Sequence, residues 1–229
     1  MLVLGIDSSA TASVALGRIA PGSSTVELIT ERFTADTRSH AEVMAPFVAE
    51  TLEQAGVTAS DVGAIVTGTG PGPFTGLRAG IVTARTLAFA WDVPLFGLMS
   101  LYSLAEQAAE HARAGNNAEF LVATDARRRE VYTARFALTQ SGYELKDGPH
   151  VGPAAEAAGV PAYGAGAGLY SDQLQAVDEY AQRQPQAASL LAAAARIGVD
   201  HLSTDTSALY LRESDAKVPA SAKKANPSC

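Results

Sequence analysis

The chain has 229 residues, 47% of them hydrophobic and 18% charged, with a formal net charge of −7; this fits one large globular domain or two small ones and excludes a disordered chain. The acidity argues against a large autonomous nucleic-acid surface, because such binding is driven mainly by phosphate neutralisation. No apolar run approaches the roughly 20 residues of a membrane span. The start, LVLGID after Met1, lacks a basic signal-peptide region, and the only cysteine is Cys229, so internal disulfides and thiolate metal sites are excluded and a cytoplasmic location is expected.

Residues 2–7 (LVLGID) read as a buried strand. Small polar residues from Ser8 to Thr11 turn the chain into a second strand over 12–17, and the turn at Pro21-Gly22 leads to a third over 26–33. Val43, Met44, Phe47, Val48 and Leu52 then recur at helical spacing, which predicts a helix over 39–55 with Ser39 and Glu42 as a capping box, Gly56 as its stop and a kink at Pro46. A strand over 64–67, a helix over 76–90, a strand over 94–98 and a helix over 101–114 complete a βββαβαβα order. Tight turns imply that the first three strands are antiparallel, and helical crossovers imply that the later ones run parallel to the first. Gly115-Asn116-Asn117 marks a domain boundary. Beyond it, strands are expected over 119–124, 130–137, 142–146 and 160–163, with loop over most of 147–168, a helix over 187–198 and a loose tail from 216.

Four places carry residues suited to chemistry. Asp7-Ser8-Ser9 ends a strand in a turn that can offer N–H and hydroxyl groups to a phosphate, although Asp and Ser are equally ordinary turn formers. Thr67 to Arg78 (TGTGPGPFTGLR) joins a strand to a helix. It has no Lys-Ser/Thr after its glycines and the wrong spacing for a dinucleotide fingerprint. Its glycines can approach an anion at the helix start, or they can simply fix a tight crossover. His40 opens a helix, but Met44 stands four residues on, so a metal pair on one helical face is missing; a lone His there reads as a cap or surface residue. Finally, Asp125 to Tyr132 (DARRREVY) places three arginines at a hairpin. They can touch RNA or a nucleotide, or form a solvated turn in which Asp125 pairs with Arg127. No serine sits in a nucleophile elbow.

LGIDSS, SHAEVMAPFV, GTGPGPFTGLRAGI, DARRREVY and the late Tyr210-Leu211-Arg212 together resemble the TsaB (YeaZ) family, in order and over nearly the whole chain. The resemblance implies an α/β protein of the actin-like ATPase (ASKHA, ribonuclease H-like) fold, with a first domain over 1–115, a smaller degenerate one over 116–215 and a flexible tail over 216–229. It implies a non-catalytic role, no cofactor and no metal, since TsaD relatives carry an HxxxH helix motif that this chain loses at Met44. It implies partners: TsaD and the ATPase TsaE, with tRNA reached only indirectly, and a homodimer when the chain is alone. The complex would transfer a threonylcarbamoyl group to an adenosine of tRNAs that read codons starting with A. The two helices of the first domain would pair with the partner through Val43, Phe47, Val48, Leu77, Arg78, Ile81, Arg85 and Phe89. Ala79, Gly80, Ala84 and Ala88 would let a partner helix come close. Asp7, Ser8, Ser9, Gly70 and Gly72 would be a degenerate nucleotide site. Pro73 stands where family members carry Ser. An ATPase or sugar kinase of the same fold is the alternative, with Gly164 to Gly168 as its only candidate second phosphate loop; a metallopeptidase and a generic dimeric binding module are the other readings.

Overall fold

The computed structural model describes residues 1–36 and 40–212; the Ser39 cap and the tail from 216 lie outside them. Two five-stranded mixed sheets carry the fold. The first comprises β1 (Leu2–Asp7), β2 (Ser13–Arg18), β3 (Glu27–Phe33), β4 (Val62–Gly68) and β5 (Leu95–Leu98) in the order β3-β2-β1-β4-β5. β1 pairs antiparallel with β2 and parallel with β4, as the turn lengths dictate. Helices α1 (His40–Ala55) and α2 (Phe74–Trp91) cover one face, and α3 (Leu101–Ala114) follows β5.

The second sheet repeats this order. β6 (Glu119–Asp125), β7 (Glu130–Leu138), β8 (Tyr143–Pro153), β9 (Pro161–Tyr163) and β10 (Gln175–Ala176) lie as β8-β7-β6-β9-β10. Its helices are reduced: a four-residue 3-10 turn (Ala154–Ala157) stands where α1 stands in the first half. Likewise a five-residue helix α4 (Ala165–Leu169) stands where the 18-residue α2 does. The last helix, α5 (Ala187–Ile197), follows β10.

The two halves exchange helices. Leu190 and Leu191 of α5 pack with Val3, Ala15 and Val66 of the first sheet. Leu101, Leu104 and Ala108 of α3 pack with Phe120, Val122 and Phe136 of the second. Full burial of one such leucine stabilises by about 1.5–3 kcal/mol, so neither core is complete without the other half's helix. A division at 115/116 separates the two sheets but cuts through both cores. Gly5 makes room for this exchange: a Cβ there would lie 2.8 Å from Leu191 Cγ.

Two expectations change. The strand expected over 142–146 runs on to Pro153, through two prolines and two glycines that read as loop. β8 is an edge strand, where a proline costs no ladder bond on the solvent side. The Gly-Ala run at 164–168, also read as loop, forms α4, whose small residues let it lie on β6: a Cβ on Gly166 would stand 2.6 Å from the Thr124 backbone. α1 runs unbroken from His40 to Ala55 with Pro46 inside it, and Gly56, at φ +65°, ends it.

Candidate functional site

The carboxyl ends of β1 and β4 lie side by side and bring the expected residues together. Asp7, Ser8, Ser9, Gly70 and Gly72 are all buried. Their polar groups satisfy one another. Ser9 donates to Asp7 Oδ1 through its N–H (2.9 Å) and its hydroxyl (2.7 Å). The Ser8 hydroxyl donates to the Gly76 carbonyl (2.8 Å) and accepts from the Gly80 N–H (3.0 Å). Gly70 N–H donates to Ser100 Oγ (3.0 Å). The loops touch backbone to backbone: a Cβ on Gly72 would lie 2.2 Å from the Ser9 carbonyl oxygen.

Asp7 is the exception to that satisfaction. Its Oδ2 makes no hydrogen bond of good geometry among the described residues, although the Ser100 side chain is close enough to act on the carboxylate, and it lies 1.8 Å from where a Gly68 Cβ would be. Burial raises its carboxyl pKa above the ordinary value of 3.8; the Ser100 and Ser9 hydrogen-bonding groups and the charge of His40 offset part of this. His40 corrects its sequence reading. It is neither a surface residue nor a cap but is buried, with Nε2 3.1 Å from the Ala10 carbonyl oxygen and its ring against Gly76. Among the described residues no group of three His, Cys, Asp or Glu side chains stands ready for a metal.

The helix face expected to pair is partly corrected. Val48, Leu77 and Ile81 are buried, and Val43 and Phe47 are half-buried in the core that Val48 shares with the first sheet. Gly80, Ala84 and Ala88 are buried too. Their small size brings α2 onto its own sheet and onto Ser8, not onto a partner: a Cβ on Gly80 would lie 2.3 Å from Ser8 Oγ. Arg78, Arg85 and Phe89 are exposed, Phe89 to 90%. They belong to a stripe that sequence reasoning only half found: Phe74, Arg78, Val82, Arg85 and Phe89, spaced three or four apart along the solvent side of α2. That spacing was the available signal for Phe74 and Val82. Tyr210 carried none, since it reaches the stripe from 132 residues away. Its ring stacks on Phe74 at 5.0 Å, its hydroxyl accepts from Arg78 Nε (2.9 Å), and the Arg78 guanidinium lies 4.0 Å over the Phe74 ring.

Tyr210 sits on a strap, residues 203–212, that crosses the molecule. Ser203 bridges Gly97 at the edge of β5. Thr206 Oγ1 accepts from Arg85 Nε (2.8 Å), and Leu209 N–H donates to the Thr69 carbonyl (2.8 Å). Arg212 ends on the β6–β7 hairpin, where Nη1 donates to the Ala126 carbonyl (2.9 Å) and the guanidinium pairs with Glu130. In that hairpin Arg127, Arg128 and Arg129 have φ of +63°, +56° and +65°. A left-handed conformation costs a side-chain-bearing residue about 1–2 kcal/mol. Asp125 braces the turn: Oδ1 accepts the Arg127 N–H (2.7 Å) and Oδ2 pairs with its guanidinium (3.3 Å). A cleft of about 450 Å³ separates this hairpin and α4 from Ser9, Ala10 and Pro73.

Two mixed sheets with one repeated strand order, facing each other across a cleft at their carboxyl ends, define the actin-like ATPase (ASKHA) fold. The family model for TsaD, tRNA N6-adenosine threonylcarbamoyltransferase, matches residues 28–212. An uncharacterised protein of Mycobacterium bovis is 37% identical over 219 residues, 94% of this chain and 93% of the relative. The tRNA threonylcarbamoyladenosine biosynthesis protein TsaB of Escherichia coli is 34% identical over 143 residues, 62% of this chain and 58% of that one. The solved structure of YeaZ from Pseudomonas aeruginosa superposes with a TM-score of 0.74 at 29% identity, covering 92% of this chain and 99% of that one. The chain belongs to the TsaD family and, within it, to the TsaB (YeaZ) group.

Proposed function

We propose that this chain is the non-catalytic partner subunit of a machinery that forms threonylcarbamoyladenosine in tRNA, pairing with a TsaD-type catalytic protein and working with a TsaE-type ATPase in the cytoplasm. The observation that carries the reading is the α2 stripe. Phe74, Val82 and Phe89 are large apolar side chains left 51%, 58% and 90% exposed on one helix face, interleaved with two arginines. Aromatic and arginine anchors of this kind dominate protein interfaces, and an exposed apolar patch marks an interaction site. A non-catalytic role is supported by the closed Asp7–Ser9 and Gly68–Gly72 turns and by Met44 standing where a second helical metal ligand would be. The ATPase alternative has less behind it, because a Cβ on Gly168 would meet the Ala181 carbonyl oxygen at 2.2 Å: the glycines of 164–168 pack on backbone.

Self-pairing through the same stripe is the expected state of the chain alone. Size-exclusion chromatography with the TsaD-type protein of the same cell should convert that homodimer into a one-to-one pair. Persistence of the homodimer beside an unpaired TsaD-type protein would count against the reading.

A further inference from the structure

We infer that the α2 stripe selects an acidic partner and disfavours its own copy: the TsaD-type protein meets Arg78 and Arg85 with carboxylates, and this lets the mixed pair displace the self-pair. The inference rests on the reading of α2 as the partner face and adds the chemistry that chooses the partner. α2 carries two charged residues, Arg78 and Arg85, and no acid. They stand seven residues apart, about two helical turns, and both are exposed among Phe74, Val82 and Phe89.

The strap fixes where the two cations stand. The Tyr210 hydroxyl accepts from Arg78 Nε (2.9 Å), and the Phe74 ring lies under the Arg78 guanidinium. Thr206 Oγ1 accepts from Arg85 Nε (2.8 Å). A guanidinium has five N–H donors, and each of these bonds uses only the one on Nε. The terminal Nη groups, half of the fork that grips a carboxylate, have no acceptor among the described residues. The acids around the stripe are few. Asp205 on the strap feels the charge of Arg85, but its Oδ1 accepts the Ser207 N–H (2.8 Å) and it forms no ion pair with Arg85 among the described residues. Asp92 lies past the end of α2. α1, which packs beside α2, exposes Glu42, Glu50 and Glu53, and Glu50 pairs with Arg32 (3.4 Å).

Two identical chains pair about a two-fold axis, which sets the same patch against itself. Whether α2 lies antiparallel or parallel on its copy, a helix whose only charges are positive then meets another such helix. The guanidinium groups of both copies crowd a seam from which Phe74, Val82 and Phe89 exclude water. Like charges facing each other across an interface are a device against the wrong partner. The apolar anchors favour any matching face, and the arginines discriminate. A partner with carboxylates opposite them gains charge-assisted hydrogen bonds where the self-pair meets repulsion.

The test compares the full wild-type chain with Arg85→Gln, which keeps a donor for Thr206. Dissociation constants of the self-pair and of the pair with the TsaD-type protein are measured by analytical ultracentrifugation at about 50 and about 500 mM salt. Salt should weaken the mixed pair about tenfold and leave the self-pair unchanged or tighter. At low salt Arg85→Gln should move the two in opposite directions, the mixed pair about tenfold weaker and the self-pair about threefold tighter. A loosened strap would weaken both. Repulsion between whole chains does not explain a tighter self-pair either, because the variant raises the net charge of each copy from −7 to −7 − 1 = −8. Equal weakening of both pairs by the variant would overturn the proposal. So would a self-pair that weakens with salt as much as the mixed pair, which would make the α1 glutamates of the copy the acids that Arg78 and Arg85 meet. A mixed pair indifferent to salt and to Arg85→Gln defeats this proposal alone, whereas no mixed pair with the wild-type chain defeats the subunit reading and the proposal with it.

Discussion

Phe89→Asp is expected to weaken pairing with the TsaD-type protein about a hundredfold or more, ~3 kcal/mol, and to make the isolated chain monomeric while it keeps its secondary structure and cooperative unfolding. The side chain is 90% exposed, so removing it opens no cavity and breaks no contact of the fold. A carboxylate at that point would have to be buried without a partner in the interface. Arg85→Glu should also prevent pairing, but Arg85 donates to Thr206 and so helps to hold the strap; Phe89→Asp separates docking from folding more cleanly. Titration of a labelled TsaD-type protein with each chain measures the effect. Unchanged affinity would move the partner face off α2.

The second large effect is a gain. Asp7→Asn should stabilise the chain at pH 7 by about 1–3 kcal/mol, because it replaces a carboxylate whose charge burial disfavours with a neutral amide of the same shape. Asn Oδ1 can keep both bonds from Ser9, and Nδ2 can donate to Ser100 Oγ. The pH dependence follows from the raised pKa of Asp7. The folded chain holds this proton more tightly than the unfolded one. The stability tied to the group is complete below the unfolded value of 3.8 and is lost as pH rises through the higher folded value. The advantage of the Asn variant should therefore shrink as pH falls toward 4, and urea denaturation at several pH values would trace it. The same variant should still support tRNA modification. Destabilisation at pH 7, or loss of modification with pairing intact, would mean that the Asp7 carboxylate has a chemical task.

Much of the fold was legible in sequence because the first half follows local rules. Continuous apolar runs gave β1 and β4, turn lengths gave their directions, and the helix read over 101–114 matches α3. The second half was harder. β8 carries Pro149 and Pro153, which read as loop in isolation and are allowed only because the strand lies at an edge. The exchange of α3 and α5 between the sheets is a long-range arrangement with no local signature. At the candidate site, sequence brought the right segments together but not their exposure. Leu77 and Phe89 look alike as apolar residues of one helix, yet one is buried and the other faces solvent. Only the period read against the known position of the sheet separates them. The role of the strap was illegible for the same reason: Tyr210 and Arg212 act on residues 132 and 86 positions away.

The most direct test of the subunit reading is reconstitution of threonylcarbamoyladenosine formation on tRNA from purified TsaD-type and TsaE-type proteins, with and without this chain. The account predicts little modification without the chain, full modification with it, the same with Asp7→Asn, and failure with Phe89→Asp. Full modification by the other two proteins alone would contradict it.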